Sequence, residues 1–242
     1  MRSHVSTVAG RASRVFAPLV LLGFLLAISL VPSVTRAQVD RDHAVWVGAM
    51  STLDLTPGTP GPSLWLDLHR RQDSPAAVMI IRPGVGLRIG PSLSVWAGYA
   101  WVPTYPDGAS RRDEHRLWEQ VIYSHPVGRQ GSFQARARLE HRFSPQGDDV
   151  AHRFRQLLRF AWMHPRQPVG FVVWDELFAG LTDADWGAVE GYDQNRLFVG
   201  PIFRIAPWAR VEPGYLLVHL DRSPNRLVHT VAVNLFFTGA ID

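Results

Sequence analysis

The 242-residue sequence has no cysteine and no lysine. The first absence removes disulfide scaffolds and thiolate metal sites together. The second leaves arginine as the only source of the 25 basic side chains, and arginine keeps its proton at ordinary pH, which lifts the sequence pI to about 10.1. Also missing beyond residue 38 is any apolar run near the ~18 residues a membrane helix needs. No His-Glu-x-x-His metal motif and no Gly-x-Ser-x-Gly nucleophile elbow occurs. Gly84-Val85-Gly86 has no helix pattern after it, so no phosphate-cradling loop is expected. No cofactor and no metal are expected.

The basic excess is concentrated at the N-terminus. Arg2, Arg11, Arg14 and Arg36 precede residue 38, leaving 21 Arg against 21 Asp and Glu in the remainder. A nearly neutral chain does not fit a nucleic-acid partner. The first 37 residues have the order of an export signal: a positive start, an apolar run over 15–31, then Thr35-Arg36-Ala37 with small residues flanking a cut before Gln38. Residues 1–37 are expected to be a cleaved signal peptide and 38–242 one domain. The alternative is a retained anchor, for which the apolar run is near the minimum spanning length.

The rest of the sequence repeats with period two. In 131–143, Phe133, Ala135, Ala137, Leu139 and Phe143 share one face, and Gln134, Arg136, Arg138, Glu140 and Arg142 the other. A strand separates these sets completely, whereas a helix would mix them. Segments 92–101 and 226–237 alternate in the same way. Less regular strands are expected over 63–71, 78–89, 113–125, 151–163, 169–180, 194–205 and 208–220. Many exceed the five or six residues common in globular sheets and suit the ~9–11 that cross a bilayer at a tilt. Turn residues separate them, as at Gly90-Pro91 and Ala206-Pro207. Without an apolar helix, a membrane-embedded chain must close a barrel to satisfy its backbone.

The expected fold is therefore all-β: an antiparallel up-and-down transmembrane β-barrel. Barrels of this kind usually have an even strand count. Ten strands from residue 63 onward satisfy parity, with the long connections 103–112 and 181–193 on the outer side. The segment 44–51 (AVWVGAMS) is then either outside the barrel or one of twelve strands.

On this pattern the polar face lines the barrel. The candidate interior residues are Glu114, Arg116 and Gln120, then Arg136, Arg138, Glu140 and Arg142, then Arg153, Arg155 and Arg159. They suit an internal ion-pair ladder or a surface selective for anions. Glu119 falls on the apolar face with Leu117, Val121 and Tyr123, and Asp175 and Glu176 point to opposite faces. Trp46, Trp65, Trp101, Trp118, Tyr123, Trp162, Trp174, Trp208 and Tyr215 lie mostly near segment ends; those outside the barrel are candidates for interfacial girdles.

Six stretches in order, RPGVGLRIGPSLSVWAGYAW (82–101), EHRLWEQ (114–120), RARLEHRF (136–143), WDELF (174–178), YDQNRLFVG (192–200) and EPGYL (212–216), resemble a bacterial family known as domain of unknown function twenty-four-ninety. The resemblance implies an outer-membrane-like barrel and assigns no activity and no catalytic residue. The chain departs from the usual outer-membrane ending, because Thr238 to Asp242 follow the aromatic Phe237.

Three functional classes follow. The first is a non-enzymatic outer-membrane barrel, either a narrow channel or a structural barrel. Its partners would be outer-membrane lipid and, during insertion, the barrel-assembly machinery. The second is an outer-membrane enzyme acting on lipid or lipopolysaccharide. It would draw on His69, His115, His125, His141, His152, His219 or His229 to activate a serine, yet no Ser pairs clearly with a His on one face. The third is a soluble periplasmic ligand-binding barrel, in which the faces would be inverted. The strand pattern carries no signal for oligomeric state.

Overall fold

In the computed structural model, which describes residues 39–56, 60–73 and 76–240, every alternating segment is a strand. The signal-like segment 1–37 lies outside the described residues. The strands are β1 (Val39–Asp54), β2 (Pro62–Asp73), β3 (Ala76–Arg88), β4 (Leu93–Pro106), β5 (Arg112–Val127), β6 (Gly131–Phe143), β7 (Ala151–Met163), β8 (Val169–Gly180), β9 (Gly191–Ala206), β10 (Ala209–Leu220) and β11 (Asn225–Ala240). Sequential neighbours pair antiparallel, and β1 meets β11 to close the barrel. Closure removes the exposed strand edges that would otherwise pair with other chains.

The closure corrects the expected strand count. The barrel has eleven strands, not ten or twelve, because 44–51 is the middle of a full-length β1. That strand pairs in parallel with β11, from Val39 opposite Asn225 to Asp54 opposite Ala240. An even count is required only when the closing pair is antiparallel. A meander with an odd number of strands starts and finishes in the same direction, so its first and last strands meet in parallel. Parallel ladders are slightly weaker per residue, and here the register runs the whole length of both strands.

Alternating chain direction sorts the connections to two ends. Residues 107–111, 144–150, 181–190 and 221–224 lie at the loop end; 89–92, 128–130, 164–168 and 207–208 lie at the turn end. The longest connection, 181–190, folds onto 144–150. The Asp185 carboxylate accepts the Asp148 and Asp149 amides at 2.9 and 3.3 Å, and the Trp186 indole donates to the Asp149 carbonyl at 2.8 Å.

Side chains fill the interior. One apolar cluster includes Trp46, Val172, Phe198, Ile202 and Leu216; a second includes Ile80, Trp96, Ala100, Trp118 and Ile122. Burying each large member contributes on the order of 2–3 kcal/mol. Glycines make room for the rings. A Cβ on Gly98 would sit 2.3 Å from the Pro83 carbonyl oxygen and 2.6 Å from Trp118 Cζ2, and one on Gly214 would sit 2.6 Å from Phe198 Cζ. Gly98→Ala should therefore overpack the wall and lower stability by roughly 1–3 kcal/mol. Gly90→Ala, where nothing lies within 4 Å, should leave it unchanged. Urea unfolding followed by tryptophan fluorescence compares them; equal midpoints would show that Trp118 is not held by close fit.

The outer face is the apolar one. Val85 and Val231 are 61 % and 62 % exposed, and Leu64, Leu66, Leu68, Val121, Leu197 and Val199 are also exposed. Toward the turn end this face carries stacked aromatic pairs, Trp162 with Phe171 and Trp208 with Phe237, at 5.8 and 6.2 Å between centroids. Toward the loop end it carries Tyr–His pairs instead. Tyr192 and Tyr215 hydroxyls lie 2.7 and 2.6 Å from the Nδ1 atoms of His219 and His229, and Tyr99 bonds His115. Of the tryptophans weighed as girdle residues, Trp46, Trp65, Trp118 and Trp174 belong to or pack against the interior clusters.

Candidate functional site

Period-two alternation in β5, β6 and β7 carries the polar candidates to the inside of the wall, where neighbouring strands bring them together. The centre is Glu140, a fully buried carboxylate on β6. It accepts Arg153 and Arg155 from β7, each at 2.6 Å, and Arg116 from β5 approaches to 3.7 Å. Arg155 continues to Glu176 on β8 at 2.7 Å, and Arg136 reaches the same carboxylate oxygen at 2.5 Å. Arg138 is 1 % exposed. It donates twice to the Gln120 carbonyl oxygen, at 2.8 and 2.6 Å, and lies over the Trp118 ring at 4.8 Å.

Nearer the loop end, Glu114 joins Arg116 and Arg142 at 2.7 and 2.6 Å. The Arg142 guanidinium lies beneath the Trp186 ring, 5.0 Å from its centroid, so the folded 181–190 connection sits over this end of the network. Arg159 stands apart from the other candidates. It pairs with Glu212 on β10 at 2.6 Å, and Arg210 shares the same oxygen at 2.8 Å.

Several members were not singled out from the sequence. Asp67 on β2 pairs with Arg82 at 2.6 Å and His69 at 2.5 Å. Arg196 on β9 bonds Gln194 and, with Arg71 of β2, approaches the Trp46 ring, at 5.0 and 4.2 Å. Alternation in 63–71, 78–89 and 194–205 was the available signal for these residues. Among the described residues, six buried arginines (Arg82, Arg116, Arg138, Arg153, Arg155, Arg196) accompany four buried carboxylates (Asp67, Glu140, Glu176, Glu212). The less buried Glu114 and Asp193 also pair with Arg116 and Arg153, and amide oxygens and ring faces meet Arg138 and Arg196.

Glu119 and Asp175 are on the outer face. Glu119 is half exposed with an oxygen 3.1 Å from His141 Nε2, and His141 Nδ1 lies 2.7 Å from His152 Nδ1. Asp175 accepts the Asn195 amide at 3.0 Å. Among the described residues no Ser or Thr hydroxyl bonds a His ring; the Thr182 hydroxyl accepts the His152 backbone amide at 2.9 Å. Apart from the Asp67–His69 pair, the interior network is unsuited to proton transfer. Its guanidiniums stay protonated, and its carboxylates are committed to charge-assisted bonds. What it can do is fix the shape of the barrel and fill its cross-section.

No solved structure matches the chain. An uncharacterized protein of Methylorubrum extorquens is 34 % identical over 162 residues, covering 65 % of this chain and 71 % of that protein. A family described as protein of unknown function, DUF2490, matches residues 44–229. That span takes in all of β2 to β10 and most of β1, and the chain belongs to this family.

Proposed function

We propose that the chain is a non-enzymatic outer-membrane barrel with a filled interior, a structural rather than a conducting element. The observation that carries this reading is the inversion of its faces: aliphatic side chains outside, arginine and carboxylate inside. Water as the outer solvent would favour the reverse, whereas lipid charges roughly 2–4 kcal/mol for an Arg on the outer face near the midplane. The two outer belts support the same reading. Trp and Phe at one end and Tyr–His pairs at the other flank an aliphatic band, as interfacial aromatics do. On this reading the turn end faces the periplasm and the loop end faces outward. The interior clusters, the Glu140 network and the Trp186 connection leave little room for a solute path.

Cell fractionation after expression of the full chain tests the address, and planar-bilayer recording of the purified protein tests the closed interior. Recovery in the outer membrane, with a heat-dependent gel shift and no conductance steps, is the expected result. Recovery in the soluble fraction would overturn the membrane assignment. Regular unitary conductance would overturn the filled interior.

A further inference from the structure

At the turn end the interior opens into a cavity of about 420 Å³. Its lining includes Arg204 and the two arginines already described as Glu212 partners, Arg159 and Arg210. Arg204 and Arg210 are direct cross-strand partners on β9 and β10, an arrangement in which like charges repel. Glu212 answers Arg159 and Arg210. Arg204 is exposed and has no ion-pair partner among the described residues. Three guanidiniums therefore line an open space, and one carboxylate pairs with two of them, which leaves the charge of a dianion unmet. Trp208 and Phe236 give the cavity an apolar side, and Ser132 and Thr238 add hydroxyls.

We propose that this cavity binds a phosphate-bearing ligand, with Arg204 and Arg210 holding the phosphate oxygens and Trp208 and Phe236 flanking the organic part. Guanidinium forks match phosphate oxygens in pairs and hold them with charge-assisted bonds. The ligand also removes the repulsion between the two cross-strand arginines. A soluble phosphate and a lipid phosphate headgroup present the same chemistry. The site stands whichever cell fraction yields the protein, so its test is separate from that of the membrane address.

Isothermal titration calorimetry of the purified full chain in non-ionic detergent, with inorganic phosphate and with dihexanoyl phosphatidic acid, provides the test. Saturable binding of at least one probe is expected, weakened roughly tenfold or more by Arg204→Gln. Arg111→Gln, in the 107–111 connection at the opposite end, should bind as the parent does. Binding of phosphatidic acid alone would assign the site to a lipid headgroup, and binding of inorganic phosphate to a soluble source. No saturable binding of either probe overturns the proposal, and so does unchanged affinity in Arg204→Gln. Because Arg204 has no ion-pair partner among the described residues and faces the like-charged Arg210, the variant's unfolding midpoint should be no lower than the parent's.

Discussion

Glu140→Gln should destabilise the barrel by about 3–5 kcal/mol, the range for removing one partner of a buried ion pair. The carboxylate is fully buried and meets Arg153 and Arg155 at 2.6 Å each, with Arg116 at 3.7 Å. Glutamine preserves the volume but turns an NH2 toward guanidinium donors, so a donor faces a donor where an acceptor stood. The positive charges cannot leave, because arginine does not deprotonate. Removing the more exposed Glu114, 18 % accessible in its side chain, should cost much less, because water reaches that end of the network. Urea unfolding in detergent, read by tryptophan fluorescence, measures both. A Glu140→Gln midpoint equal to that of the parent would mean that the central carboxylate is not needed to balance its arginines.

The second large effect is expected on the outside. Val199 lies mid-strand in β9, is 53 % exposed, and stands between the Tyr192 end and the Phe203 end of its face. With lipid as the outer solvent, Val199→Arg should cost roughly 2–4 kcal/mol and reduce folding into vesicles. In water an exposed valine-to-arginine change usually stays within about 0.5 kcal/mol. Ser110→Arg, in a connection at the loop end, serves as the control. Equal folding yields for the two variants in lipid vesicles would remove the membrane reading, independently of where the cell delivers the chain.

Much of this fold was legible because its signal is local. Alternation within 131–143 placed Arg136, Arg138, Glu140 and Arg142 on one side of one strand, and the structure sets them on the inner side of β6. Turn residues such as Ala206-Pro207 marked the reversals. The partnerships were not legible. Arg136 meets Glu176 forty positions away, and Arg159 meets Glu212 fifty-three positions away. Such pairs depend on barrel stagger, which no window of sequence reports. The strand count failed for a related reason. Parity assumes an antiparallel closing pair, whereas the actual closure joins Asp42 to Arg226, ion-paired across the seam and separated by 184 positions. Glu119 conflicted with an apolar face until His141 and His152 supplied its outward partners.

The odd number of strands also constrains how such a barrel changes over generations. Duplicating or deleting a hairpin adds or removes two strands, so it preserves oddness however often it happens. Only the gain or loss of a single terminal strand can convert this architecture to an even one. That step would carry one chain terminus from one rim to the other. A domain fused ahead of β1 and another fused after β11 are displayed at opposite rims, and an even-stranded relative would hold both at the same rim.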